Sequence, residues 1–163
     1  MRLAFALPAA LLVVAAPVAA AREAVGIYFG WSAFRESEPR RCFAITEPQR
    51  KARRGEERAF ASVGYWPGRN VRGQVHFRLS RAKRPGSAVL LRIDERTFQL
   101  LAGGSNAWAP DRRADAAIVQ AMRTGVAMSI ETRGQRGQPV RDYYVLRGAA
   151  TAVDAAAIAC AGS

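Results

Sequence analysis

The chain of 163 residues carries 25 Lys and Arg against 13 Asp and Glu, a formal net charge of +12 at pH 7, and 50% of its residues are hydrophobic. One His and two Cys are too few ligands for a structural metal site. A chain of this length holds one domain around a single core, and its positive excess bears on solubility and adhesion rather than on fold.

The first predicted element is a leader. Met1-Arg2 precedes an apolar run from Leu3 to Val18, and Val18-Ala19-Ala20-Ala21 supplies the small residues of a secretory cleavage site. Cleavage is expected after Ala21 (or Ala20), so residues 1–21 are the signal peptide and 22–163 the mature domain. Pro8, Pro17 and a run shorter than the roughly 20 residues of a membrane-crossing helix argue against an anchor. Export removes nucleic acid as a routine partner for a basic chain. It leaves anionic envelope polymers, lipid head groups or an envelope protein as partners. In an oxidising compartment Cys42 and Cys160 are expected to pair, two separate buried thiols being the alternative.

Residues 24–35 (AVGIYFGWSAFR) are rich in β-branched and aromatic side chains and read as one strand, broken by Ser37-Glu38-Pro39. Residues 41–46 form the second. The stretch 47–58 (EPQRKARRGEER) is charged and aperiodic, as in a mobile loop or hairpin tip. A third strand covers 59–66 and closes at Pro67-Gly68. In residues 73–80, Val75, Phe77 and Leu79 share one face while His76 and Arg78 share the other, the alternation of a half-buried antiparallel strand. Val89, Leu91 and Ile93 repeat it, then reverse through Asp94-Glu95-Arg96 into Phe98 and Leu100. Gly103-Gly104-Ser105-Asn106 is expected as a loop leading to Ala107-Trp108.

Pro110-Asp111 opens a helix with Ala114, Ile118 and Met122 on one face and Gly125 at its C-terminal cap. Val126, Met128 and Ile130 point inward from the next strand, and Tyr144 and Leu146 from the last, at 140–146. Thr151 is expected to cap an Ala-rich helix running to Cys160. Some eight short strands with frequent turns give an all-β antiparallel sandwich with one or two short connecting helices.

Chemistry is harder to find. His76 faces outward and lacks a Gly-x-Ser-x-Gly elbow to partner it. Asp94 and Glu95 are turn formers, Asp115 suits a first helical turn, and Asp142 has no visible partner. Gly103-Gly104-Ser105 lacks the Lys of a phosphate loop, and no cofactor is expected. Trp31, Tyr65, Trp66 and Trp108 could form a binding platform with neighbouring Arg, but aromatics in a small sandwich read first as core. Two candidate binding surfaces stand out. One is Tyr65-Trp66 beside Arg69 and Arg72, an aromatic platform with cations. The other is the basic loop of Arg50, Lys51, Arg53 and Arg54, suited to an anionic envelope component.

Taken in order, Trp31-Ser32-Ala33-Phe34, Arg41-Cys42-Phe43-Ala44-Ile45, Ile93-Asp94 to Phe98-Gln99-Leu100, Trp108-Ala109, Ala114 to Met122, Asp142 to Gly148 and the terminal Cys160 resemble the invasion-associated locus B family of small exported bacterial proteins. The resemblance implies an immunoglobulin-like β-sandwich, no catalytic residues, and residence in the periplasm or envelope of a Gram-negative bacterium, or secretion from it. The family is named for a role in host-cell invasion. Many members carry a Cys four residues after the Trp; this chain has Arg35 there, and the resemblance leaves Cys160 as the partner of Cys42. The expected function is therefore an exported, non-catalytic binding module. An Arg-rich factor associating with anionic envelope polymer or lipid, and a small periplasmic hydrolase, are the alternatives.

Overall fold

A computed structural model describes residues 22–161. The expected signal peptide, 1–21, lies outside the described residues. The elements run β1 Arg22–Tyr28, β2 Trp31–Ser37, β3 Arg40–Thr46, β4 Phe60–Trp66, β5 Val71–Arg78, β6 Val89–Ile93, β7 Arg96–Gly103, β8 Asn106–Trp108, α1 Arg112–Thr124, β9 Ala127–Arg133, β10 Pro139–Val145 and α2 Ala149–Ala161, with a single 3-10 turn at Pro67–Arg69. All the strand pairings are antiparallel, in the order β1-β2-β3-β4-β5-β8-β7-β6-β9-β10. The all-β antiparallel sandwich expected from the sequence is the fold found.

The sheet turns from one layer to the other at β7. Residues 96–100 of that strand pair with β6, whereas Leu101, Ala102 and Gly103 pair with β8. The inner faces of both layers meet in one core. Trp31, Ala33, Ala44, Val63, Val75 and Phe77 come from one side, and Leu91, Ile93, Met128, Ile130 and Tyr144 from the other. Val75, Phe77 and Leu79 are fully buried, as their alternation requires.

Two strands were not foreseen. The run 24–35 is a hairpin, not one strand: Tyr28 pairs with Trp31 across Phe29-Gly30. Phe29 takes a left-handed φ of 56°, a conformation that Gly, Asn or Asp normally signals and an aromatic residue does not. The loop expected at 103–106 is likewise a tight hairpin, in which Gly103 pairs with Asn106 and Gly104 has φ 58°. It makes Ala107-Trp108 a strand that bridges β5 and β7. Val126, expected inward, is 75% exposed because β9 begins one residue later.

Both helices pack on the sheet. Asp111 caps α1 by accepting a hydrogen bond from the Ala114 N–H at 2.8 Å, and the Gly125 N–H closes the helix onto the Ala121 carbonyl. Ile118, Ala121 and Met122 are buried. Asp115, besides lying in the first turn, accepts a hydrogen bond from the Val75 N–H at 2.8 Å and so ties α1 to β5. Burial pushes its carboxyl above the usual range, and the Val75 hydrogen bond partly offsets this.

The second helix follows β10 and packs on the sheet. Ala149, Ala152, Val153, Ala156 and Cys160 form a buried stripe at helical spacing that lies chiefly on β2 and β3. It begins at Ala149, so Thr151 sits inside the first turn and is not the expected N-cap. Gly148, at φ 90°, makes the bend out of β10. At the far end Cys160 is bonded to Cys42 with the Cα atoms 5.7 Å apart, the pairing expected from the sequence. Arg35 stands directly across the β2–β3 ladder from Cys42, with its guanidinium on Glu23.

A candidate binding groove

The outer face of β2–β5 departs from what alternation normally gives. A strand with one face on a core presents polar residues on the other, yet Phe34 on β2, Phe43 and Ile45 on β3, and Phe60 and Trp66 on β4 all line an open groove on the outside. Register makes the hollow. Phe34 pairs with Phe43, Phe43 with Gly64, Ser32 with Ile45, and Ile45 with Ser62. Large apolar side chains thus alternate with Ser32, Ser62 and Gly64, and the depression encloses about 1000 Å³. Trp66 folds its ring back over Gly64, where a Cβ would stand 2.4 Å from the indole carbons.

His76 forms part of one wall. Its imidazole stacks on Trp108 with centroids 5.2 Å apart and meets Phe60 edge-on at 5.1 Å. Nε2 lies 3.0 Å from Asn106 Oδ1, an acceptor, which selects the Nε2–H tautomer as donor. Burial depresses its pKa, partly offset by the Asn106 hydrogen bond. The residue is outward-facing, as expected, but half-buried in an aromatic cluster. Trp108, expected in the core, is 37% exposed beside it.

Cations edge the groove. Arg22 and Arg41 share the Glu36 carboxylate, and Arg22 also lies over the rings of Phe34 and Phe43 at 5.6 and 5.5 Å. The hydrogen bond from Arg41, helped by Arg22, holds the Glu36 carboxyl below its ordinary range despite the opposing effect of burial. Arg58 lines the other side, 2.7 Å from Glu47.

No family model matches the chain, and no curated protein does. Among solved structures it is similar to the crystal structure of invasion associated protein b from Bartonella henselae, with a TM-score of 0.60 and 17% identity over 85% of this chain and 98% of that one. The chain has the invasion associated protein B fold. The architecture implied by the sequence resemblance is therefore present, while an identity of 17% carries the fold and no residue roles.

On this fold the first sequence-derived surface is divided. Trp66 lines the groove, but Tyr65 points through the opposite face of β4 and packs against the core. Desolvation there raises its phenol pKa. Arg69 and Arg72 are exposed and stand outside the groove lining. Trp31 is fully buried and donates Nε1–H to the Val145 carbonyl at 2.9 Å.

The basic loop, expected as a mobile loop or hairpin tip, is tied to its neighbours at several points. Gln49 N–H donates to the Tyr143 carbonyl and Glu57 N–H to that of Ser80. The Glu56 side chain is buried, receiving Arg50 at 2.8 Å, the Arg53 N–H at 2.8 Å and Arg81 at 3.3 Å. Arg50 is therefore committed inside the loop, while Lys51, Arg53 and Arg54 are exposed beyond the groove lining. Arg58 is the cation of this loop that reaches the groove. Phe34, Phe43, Ile45, Phe60, Arg22 and Arg41 went unrecognised in the sequence. The available signal was large apolar residues at outward positions of strands whose inward positions were already apolar.

The candidate carboxylates are structural. Asp142 is buried and accepts the Ser80 N–H at 2.9 Å. Asp94 receives the Val126 and Ala127 N–H groups.

A pH dependence follows from Glu56. The Arg50 hydrogen bond, then that from the Arg53 N–H, hold its pKa down at about 2, against 4.5. A depressed carboxyl stabilises the fold above its unfolded pKa and loses that contribution as pH falls from about 4.5 through about 2. Glu36 and Glu57 shift in the same direction, so Glu56→Gln separates the contribution of Glu56 from theirs. The variant is expected to unfold about 1–3 kcal/mol more easily at pH 7 and to match the parent near pH 2. Urea titrations at the two pH values check this; an equal deficit at both would contradict it.

Proposed function

We propose that this protein is an exported envelope binding module that holds its partner in the aromatic groove on the outer face of β2–β5. One observation carries the reading: the groove gathers Phe34, Phe43, Ile45, Phe60 and Trp66, each half-buried, on a face that has no core to pack against. A concave hollow lined by aromatic and aliphatic side chains with a few polar groups at its edge is the usual form of a binding site. Export is supported by the leader-like residues 1–21 and by a disulfide, which persists where the compartment is oxidising. The site candidates for hydrolysis give that alternative little support. His76 touches aromatic rings and Asn106, and Asp142 is occupied with a backbone N–H.

The test is retention of envelope components on immobilised mature protein. Wild type retains its partner, Ile45→Glu and Phe60→Ser lose at least ten-fold of it, and the Arg53→Ser/Arg54→Ser double variant is unchanged. Retention that follows Arg53 and Arg54 instead would transfer the function to the basic loop. Turnover of ester, glycoside or peptide substrates that disappears in His76→Ala would replace binding with hydrolysis.

A further inference from the structure

We infer that the groove takes the acyl chain of an anionic amphiphile, with the charged head held at the Arg22–Arg41 end; this rests on the groove being the binding face. Two features of the groove select that chemistry. The first concerns its floor. The central strands β2 to β5 are paired on both sides within the sheet, so the groove offers side chains and no free backbone ladder. A peptide laid against Phe34, Phe43 and Ile45 would bury N–H and C=O groups without partners, at a cost an alkyl chain does not incur. An acyl chain also brings no hydroxyls to be satisfied over Phe34, Phe43 and Ile45; the amide and carboxylate of the lining, Gln49 and Glu47, follow the end of β3.

The second feature is charge. The groove lining includes Arg22, Arg41 and Arg58 against Glu47. At one end a single carboxylate, Glu36, is shared by two guanidiniums, leaving an uncompensated positive charge beside the apolar floor. At the other end Arg58 and Glu47 neutralise one another. A head group with one or two negative charges therefore belongs beside Arg22 and Arg41, where guanidinium N–H groups can meet phosphate or carboxylate oxygens. From Arg41 along β3 to Glu47 is six residue steps, roughly 20 Å at ~3.4 Å per step. That length holds a twelve-carbon chain past Phe43 and Ile45 towards Phe60.

Calorimetric titration of the oxidised mature protein with dodecyl phosphate, kept below its micelle concentration, tests the inference. Dodecyl maltoside (the same chain with a neutral head), inorganic phosphate (the head alone) and an apolar octapeptide with a free carboxylate are run beside it. Dodecyl phosphate is expected to saturate at one site at least ten-fold more tightly than dodecyl maltoside, with no saturation by inorganic phosphate or the octapeptide. Ile45→Glu should weaken dodecyl phosphate at least ten-fold. Arg41→Ser leaves Arg22 and Glu36 as a neutral pair and should abolish the preference for the phosphate head. Arg113→Ser, on the exposed surface of α1, should change neither. Ile45 faces outward, and an unchanged far-ultraviolet spectrum with no free thiol confirms that its variant is folded; should it misfold, Phe60→Ser takes its place. Equal affinity for the two heads, tighter binding of the octapeptide, or binding indifferent to Ile45→Glu would each overturn the inference. Should dodecyl phosphate fail while the groove variants still lose the envelope component, the ligand class is wrong and the binding face stands. If neither responds to the groove variants, both fall.

Discussion

Reducing the Cys42–Cys160 bond, or replacing both cysteines by serine, is expected to remove about 5 kcal/mol of stability and to lower the melting temperature by roughly 10–20 °C. The size comes from the loop. The bridged residues are separated by 118 positions, so the cross-link restricts most of the unfolded domain, and in the chain-entropy description its contribution grows with the logarithm of that span. The location adds to it. The bond ties the last turn of α2 to β3, and α2 covers the inner face of β2 and β3 with small side chains, Ala149, Ala152, Val153 and Ala156. Such a helix buries little area per residue, so its docking leans on the covalent tie more than a Leu-rich helix would. Urea unfolding followed by tryptophan fluorescence, with and without reductant, measures the difference. A change below 1 kcal/mol would show that α2 docks without the bond.

The second large effect is expected at Gly148. Its φ of 90° already excludes an unstrained side chain. A Cβ there would also stand 2.1 Å from the Tyr28 carbonyl oxygen and 2.9 Å from its carbon, both backbone atoms. The contact arises because the exit from β10 lies on the β1–β2 turn, where Arg147 also stacks on Phe29 at 3.8 Å. Gly148→Ala is therefore expected to cost more than about 4 kcal/mol, the range reserved for a named steric or strain mechanism. Gly86 provides the control. It has φ 78° with nothing within 4 Å of a built Cβ, and Gly86→Ala should lose only the conformational part, about 1–2 kcal/mol. Equal losses in the two variants would mean that the β1–β2 turn yields to the added methyl group.

What could be read from the sequence was whatever period and punctuation encode locally. The inward set Val75, Phe77 and Leu79, the Asp111 and Gly125 caps of α1 and the pairing of Cys42 with Cys160 needed no knowledge of neighbouring strands. The β1–β2 turn was illegible because Phe29, an aromatic residue within an apolar run, holds the positive φ. The anchoring of the 47–59 loop was hidden for a related reason: a buried Glu56 and an exposed one look alike until Arg50 and Arg81 are seen to converge on it. The groove was hardest to foresee. Its walls come from Phe34, Phe43, Ile45 and Phe60, which become neighbours only through cross-strand register. Each alone reads as one more core residue. Tyr65 and Trp66, adjacent in sequence, were for the same reason expected on one surface and lie on two.

That the outer aromatic face, and not the basic loop, meets the partner is best tested by photocrosslinking in cells that express the full chain. A benzophenone-bearing phenylalanine analogue is placed in turn at Phe60, on the groove wall, and at Arg53, on the exposed loop. A discrete adduct from position 60, absent when Ile45→Glu is introduced alongside, with none from position 53, is the predicted result. Adducts from position 53 alone would place the contact on the loop and contradict the account.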